Sequence, residues 1–348
     1  MTIPDEPPRS LRLRIDRAAL TANWRALDRL SGNAIAGAAV KADAYGLGVD
    51  VAVPTLRDAG ARHFFLAHWS EVPPVLEHVE GSAVCVLFGT RNADEAAFAR
   101  ATGVIPVINS LNQAQLWNES GGGTCHLMVD SGINRLGLAL SELADPAVQA
   151  LDVDILMSHL ASAEDDTPQN AQQLGVFQEA VAQVGARRLS LANSAGIMLG
   201  HDYHFDMTRP GIALFGGIPH PDLANHIAQV AYPRAAVIQT RDISPGDAVG
   251  YNATWVAEHP TRVAIVSIGY ADGFLRMMGK GSALQHEEHT LPVLGRVSMD
   301  MIAVDVGNSG VKDGDFLDLP GDLGKISRRS GLSQYEILTI LGDRFDRE

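Results

Sequence analysis

Lys41 stands at the end of an apolar run, Ala34–Val40, and small residues follow it at once in Lys41-Ala42-Asp43-Ala44-Tyr45-Gly46-Leu47-Gly48. A short buried strand feeding a tight loop has this pattern. An amine walled by apolar neighbours is poorly solvated, so its pKa falls and it becomes nucleophilic. Such lysines form Schiff bases with aldehydes, pyridoxal phosphate (PLP) among them. Tyr45, four residues on, can bring a phenol to an anion. A strand-end lysine that merely snorkels to water has the same local pattern, so the stretch alone leaves both readings open.

The elements that would carry these groups are rhythmic. Leu11, Leu13 and Ile15 alternate with polar residues as in a strand, and 16–30 reads as an amphipathic helix with Leu20, Trp24, Leu27 and Leu30 on one face. Short apolar runs then recur at 34–40, 64–67, 84–88, 104–108, 126–129, 155–157, 189–192 and 212–215, most separated by helix-length segments such as 112–119 and 171–184. Eight such units point to an α/β fold, an N-terminal (β/α)8 TIM-type barrel. A doubly wound sheet is the rival, but no G-x-G-x-x-G follows an early strand.

In a barrel, catalytic groups sit just past the strand ends. Lys41 follows the first run; Asp130, Ser131 and Arg135 the fifth; His159 the sixth; Asn193 and Ser194 the seventh; Arg209, Pro210 and Gly211 lie at the eighth. Loops seven and eight form the usual barrel phosphate site, and here they offer Ser194 and the backbone N–H groups of Gly211 and Ile212. From about Ile227 the rhythm changes to short runs broken by Gly, Pro and Asp turns, with no good helix until the end, so a mostly β domain is expected. The boundary is placed near 230: a barrel over 1–230, with the strand at 11–15 open to pack with the second domain, and a β domain over 231–348.

The net charge of −14 argues against nucleic acid and anionic membranes as partners, and 46% hydrophobic content supports a large core. The proline-rich start, 1–10, has no apolar signal region, and no stretch is long enough to span a membrane. Cys85 and Cys125 sit inside apolar runs and read as core residues, so a cytoplasmic protein is expected. No metal is expected: His201-x-x-His204 and His286-x-x-His289 lack a third ligand in register and read as solvated loops. Gly121-Gly122-Gly123 reads as a turn, since no helix start follows it.

Val40-Lys41-Ala42-Asp43-Ala44-Tyr45-Gly46-Leu47-Gly48 resembles the PLP-lysine signature of the alanine racemases, fold-type III PLP-dependent enzymes. The resemblance continues through Asp130-Ser131-Gly132-Ile133-Asn134-Arg135-Leu136-Gly137, Ser158-His159-Leu160-Ala161, Asn193-Ser194-Ala195 and Arg209-Pro210-Gly211-Ile212-Ala213-Leu214-Phe215-Gly216. Later segments that resemble the family are Gly269-Tyr270-Ala271-Asp272-Gly273, Gly295-Arg296-Val297-Ser298-Met299-Asp300 and Tyr335 in Gln334-Tyr335-Glu336-Ile337.

The resemblance implies racemisation of alanine by two bases, Lys41 on the D-face and Tyr270 on the L-face, to supply D-alanine as a cell-wall precursor. It places Tyr45, Ser194, Gly211, Ile212 and Tyr335 around the cofactor phosphate, Asn193 in the same motif, and Arg209 at the pyridine nitrogen. His159 supports its catalytic neighbours, Arg135 holds the substrate carboxylate, and Met299 and Asp300 line the substrate end. A head-to-tail homodimer with shared sites is implied too. A phenol has a pKa near 10, so a tyrosine base needs help; His159, held by Arg209, is the candidate.

Three departures stand out. Met128 replaces a lysine, often carboxylated, whose charge orients the arginine in many relatives. A bound chloride, or a carboxylate such as Asp130 or Glu164, is expected to substitute. Glu164 stands where aspartate is commoner, and the C-terminal R-V-P-R-x-Y appears as Arg344-Phe345-Asp346-Arg347. Two other functions are weighed: a racemase of serine or a broader amino-acid set, and a PLP-carrying homeostasis protein without turnover. The Gly-Tyr-Ala-Asp-Gly segment argues against the carrier, which needs no second base.

Overall fold

A computed structural model describes residues 7–348, so most of the proline-rich start lies outside the described residues. The chain divides into two compact units, Arg17–Ala228 and Gln229–Glu348, the latter joined by the residues up to Asp16.

In the first unit, seven parallel strands lie side by side in chain order: Ala38–Ala39, Phe64–Leu66, Val84–Val86, Ile105–Ile108, Thr124–Met128, Asp152–Met157 and Arg188–Ser190. Phe64–Leu66 and Val84–Val86 are buried throughout, as expected of parallel strands covered on both faces. The eighth strand is Met207–Thr208. It pairs in parallel with Ile35–Ala36, the lead-in to the first strand, and Arg209 N–H donates to Ala192 O at 2.8 Å on the other side. The ring is therefore closed. The run 212–215, expected as the eighth strand, is a 3-10 turn instead. Length explains the error: the two residues Met207–Thr208 are too short to give an apolar run, whereas Ile212–Phe215, wholly buried, look like one.

Helices cover the outside. Arg17–Leu30 buries Leu20, Trp24 and Leu27, and Pro168–Val181 starts on Thr167, whose side chain caps Gln169 N–H. Cys85 and Cys125 are free and buried. Gly121, Gly122 and Gly123 all have positive φ just before the strand Thr124–Met128, so this is a turn only glycines adopt freely.

The second unit is an antiparallel sheet around the long strand Ala231–Ile243, which pairs with Thr261–Val266, Phe316–Asp318 and Leu11–Ile15. The chain's first strand thus belongs to this unit. A one-turn helix, Arg276–Gly279, and the 3-10 turn Tyr270–Asp272 interrupt a region read as free of helix. Leu323–Ser330 and Gln334–Thr339 are the closing helices. Among the described residues, no helix is long and apolar enough to cross a membrane.

Candidate active site

The loop after the first barrel strand has an uncommon backbone. Ala42, Asp43, Ala44 and Tyr45 all have φ between 51° and 57°, a left-handed turn of four non-glycine residues. Each costs roughly 1–2 kcal/mol relative to ordinary backbone, so the turn persists only if its surroundings hold it. Glu71 does much of this: Oε1 accepts from Ala42 N–H at 2.6 Å, and Oε2 from Ala67 and His68 N–H at 2.7 and 2.9 Å. Asp43 Oδ1 accepts from Val49 N–H at 2.8 Å and so opens the next helix. The turn puts Lys41 at its start and folds Tyr45 inward. A Cβ on Gly211 would lie 2.2 Å from Tyr45 Oη, so only glycine fits there. The Tyr45 ring lies 5.0 Å from that of Phe215, and burial pushes its phenol pKa up.

Lys41 titrates below the usual lysine range. Burial is the main cause, the positive charges of Arg135 and Arg209 add to it, and Glu71 opposes. Arg209 is buried; its guanidinium donates to Ser190 Oγ, and to the carbonyl of Ser158 at 2.5 Å. Desolvation draws its pKa down to about 10, which still leaves it charged at neutral pH. Burial and the charges of Arg209, Arg135 and Lys41 push His159 down to about 3, so its ring is neutral in any ordinary buffer. One end of the barrel thus gathers Lys41, Arg135, Arg209 and His159, with Tyr45, Ser194 and Gly211 beside them.

Several expectations change. Gly211 N–H donates to Ser194 Oγ at 2.9 Å, which places two of the groups expected at an anion side by side. Ile212 begins the adjoining 3-10 turn, and Asn193 braces its own loop by accepting Gly196 N–H on Oδ1 at 2.9 Å. Asp130 is engaged by its own loop. Its Oδ1 accepts from the N–H groups of Gly132, Ile133 and Asn134. Met128 is buried at the strand end and brings no charge. His204, read as solvated, is 4% exposed and wedged between the carbonyls of Ser31 and Ile197. His286 and His289 face each other across a hairpin rather than in a loop.

The second unit holds the other group of expected site residues. Tyr270 opens a 3-10 turn docked on the 298–299 backbone: its N–H donates to Ser298 O at 3.1 Å, and Ala271 N–H to Met299 O at 3.0 Å. A Cβ on Gly269 would lie 2.2 Å from Met299 O, so the glycine permits this approach. Arg276 sits over the Tyr270 ring, 5.3 Å from its centre. Asp272 ends the turn, Met299 lies against it and is followed by Asp300, and Tyr335 lies on the helix Gln334–Thr339.

Residues 15–219 match the family pattern described as alanine racemase, N-terminal domain, and 230–348 match its C-terminal domain. The chain belongs to the alanine racemase family. It is 39% identical to the biosynthetic alanine racemase of Agrobacterium fabrum, over 97% of this chain and 93% of that one. An alanine racemase of Cereibacter sphaeroides is 41% identical, with 96% and 97% covered. The crystal structure of the Bartonella henselae alanine racemase, with covalently bound pyridoxal phosphate, superposes with a TM-score of 0.90 at 34% identity, covering 98% of this chain and 99% of that one.

In this family member, sequence reasoning missed Glu71, Gln169, Gln173 and the partners of Arg344. Glu71 lies four positions past the second apolar run, 64–67, and its place in the loop that follows a strand was the available signal, since the barrel gathers such loops at one face. The glutamines lie within a helix and gave no signal.

Proposed function

We propose that the chain interconverts L- and D-alanine with pyridoxal phosphate attached covalently through Lys41 Nζ. The observation that carries this is the setting of Lys41: a half-buried amine whose pKa burial lowers, beside two guanidinium groups and a histidine. That surplus of positive charge fits a cofactor phosphate and a substrate carboxylate, and the close approach of Tyr45 Oη to Gly211, with Ser194 Oγ beside it, gathers polar groups suited to the phosphate. Tyr335 and Ile212 complete the phosphate contacts in this reading, and Asn193 holds the loop.

The chemistry supplied by the bound cofactor is withdrawal of the electron pair left when the Cα–H bond of alanine breaks. Arg135 holds the substrate carboxylate. Lys41 Nζ moves the proton on the D-face and Tyr270 Oη on the L-face, because inversion needs removal from one side and delivery to the other. Arg209 keeps its own protons at neutral pH and so offers the ring nitrogen a donor that does not transfer. His159 supports these groups, and Met299 and Asp300 bound the substrate end. The working form is a cytoplasmic head-to-tail homodimer, each site drawing Tyr270 from the partner, and D-alanine serves as a cell-wall precursor.

Two measurements test this. Optical rotation should decay with L-alanine and far more slowly with L-serine. Borohydride reduction of the holoprotein followed by peptide mapping should put the label on Lys41; a label elsewhere ends the assignment.

A further inference from the structure

Two glutamines on the helix Pro168–Val181 tie together two loops at the barrel mouth. Gln173, 1% exposed, donates from Nε2 to Ser131 Oγ at 3.2 Å and to His159 O at 3.0 Å, and its Oε1 accepts from Ala161 N–H at 2.8 Å. Gln169, one turn earlier on the same face, repeats the arrangement. Its Nε2 donates to Gly132 O at 3.4 Å, and its Oε1 accepts from the Ser162 hydroxyl at 2.6 Å. Ser131 and Gly132 begin the loop that carries Arg135; His159, Ala161 and Ser162 form the loop after the sixth strand. Each glutamine therefore touches both.

The tie runs deeper into the barrel. Ser131 Oγ and Ser158 Oγ share a hydrogen bond of 2.7 Å, Ser158 Oγ donates to Val129 O at 2.7 Å, and Arg209 donates to Ser158 O. Plain packing would not call for an amide at 173. Further along the same helix, Phe177 and Ala180 pack against the barrel with apolar surface alone. A buried amide costs free energy unless every polar atom is bonded, and here the bonding is complete and aimed at the two loops.

We propose that Gln173, seconded by Gln169, is a positioning residue: it fixes the Arg135 loop against the His159 loop and so aims the Arg135 guanidinium at the substrate carboxylate. This rests on the reading of Arg135 given above.

Two variants test it. Gln173→Met keeps the volume and removes all three hydrogen bonds; it should raise KM for alanine on the order of tenfold while kcat changes much less. Hydrogen exchange at 131–136 and 159–162, measured without substrate, should speed up in the same variant. Gln173→Glu retains the acceptor for Ala161 but can donate only when protonated, and burial raises a carboxyl pKa. Its kcat/KM relative to the parent should therefore climb as pH falls from 9 to 7, whereas the Gln173→Met ratio stays flat. Unchanged KM and unchanged loop exchange in Gln173→Met would overturn the proposal. If that variant does not fold, a flat pH ratio for Gln173→Glu overturns it equally. Arg135→Lys separates the two layers: a KM it leaves unmoved refutes the aiming of Arg135, while loop exchange still reports on the glutamines.

Discussion

Arg344 donates from Nε to the Asp272 carboxylate at 2.6 Å, and Asp272 is only 1% exposed. The second Asp272 oxygen accepts Gly269 N–H at 2.9 Å, and Arg344 Nη1 reaches Asp300 Oδ1 at 2.8 Å. One arginine near the C-terminus thus joins the turn bearing Tyr270 to the loop bearing Met299. Removing it leaves a buried carboxylate without its ion partner, which is far worse than losing a wetted pair.

Arg344→Ala should therefore lower unfolding free energy by about 2–3 kcal/mol, since the arginine itself is half exposed and the full penalty of a buried pair is not reached. Asp300→Asn, at the wetted end, should cost less than about 1 kcal/mol. Urea unfolding of both variants checks this. Equal losses would mean that the buried end is not the anchor.

Asp130 offers a second discrimination. Its carboxylate caps its own loop, so its shape matters more than its charge. Asp130→Asn keeps an acceptor oxygen for the three N–H groups and should leave KM for alanine within about twofold of the parent. Asp130→Ala frees the loop and should raise KM severalfold. A counter-charge role would instead make both variants equally poor. If chloride supplies the charge that Met128 cannot, replacing it with a bulky anion should raise KM in parent and Asn variant alike.

Legibility of the sequence followed the physics of each feature. Strands such as Phe64–Leu66 were visible because burial on both faces leaves an unbroken apolar run. Lys41, Arg135 and Arg209 stand out as polar residues that follow apolar runs, but the pattern around Lys41 left snorkelling open, and the roles expected of these residues came from the family resemblance. The eighth strand was hidden by its two-residue length. His204 was misread because its bonds go to carbonyls of Ser31 and Ile197, one of them 173 positions away, and polar neighbours gave no hint of burial. Gln173 and Asp272 share that cause: their partners are set by tertiary contact, which residue type and spacing do not encode.

The other end of the barrel predicts acid sensitivity. Arg188 donates to Asp154 and, from Nη1, to His63 Nε2 at 3.0 Å, which only an unprotonated nitrogen accepts. Burial, then the charge of Arg188, draws His63 down to about 4, and burial depresses its neighbour His126 too. An unfolded histidine titrates near 6.5. Between those values the unfolded chain binds protons that the folded chain refuses, so stability falls as pH drops from about 6.5 towards 4. His126→Gln should flatten part of that fall. Urea midpoints at pH 7, 6 and 5 for parent and variant give the test, and identical slopes would remove His126 from the account.

The proposed sharing of sites between two chains yields a prediction from counting. Lys41→Ala removes the covalent anchor, and Tyr270→Phe removes one base while leaving the cofactor and its colour in place. Loss of a positioned acid or base costs about 10²–10⁴-fold, so each homodimer should be nearly inactive. In a heterodimer with shared sites, one site carries both defects and the other neither. Tagged, coexpressed heterodimers should then recover about half of the parent activity per dimer, provided the sites act independently. If each site is instead built within one chain, every site in the heterodimer keeps a defect and no activity returns. The readout must come from purified heterodimer, because chain exchange would dilute the signal with inactive homodimers. Size-exclusion chromatography at the assay concentration settles the subunit count, and a chain that elutes as an active monomer excludes the shared site outright.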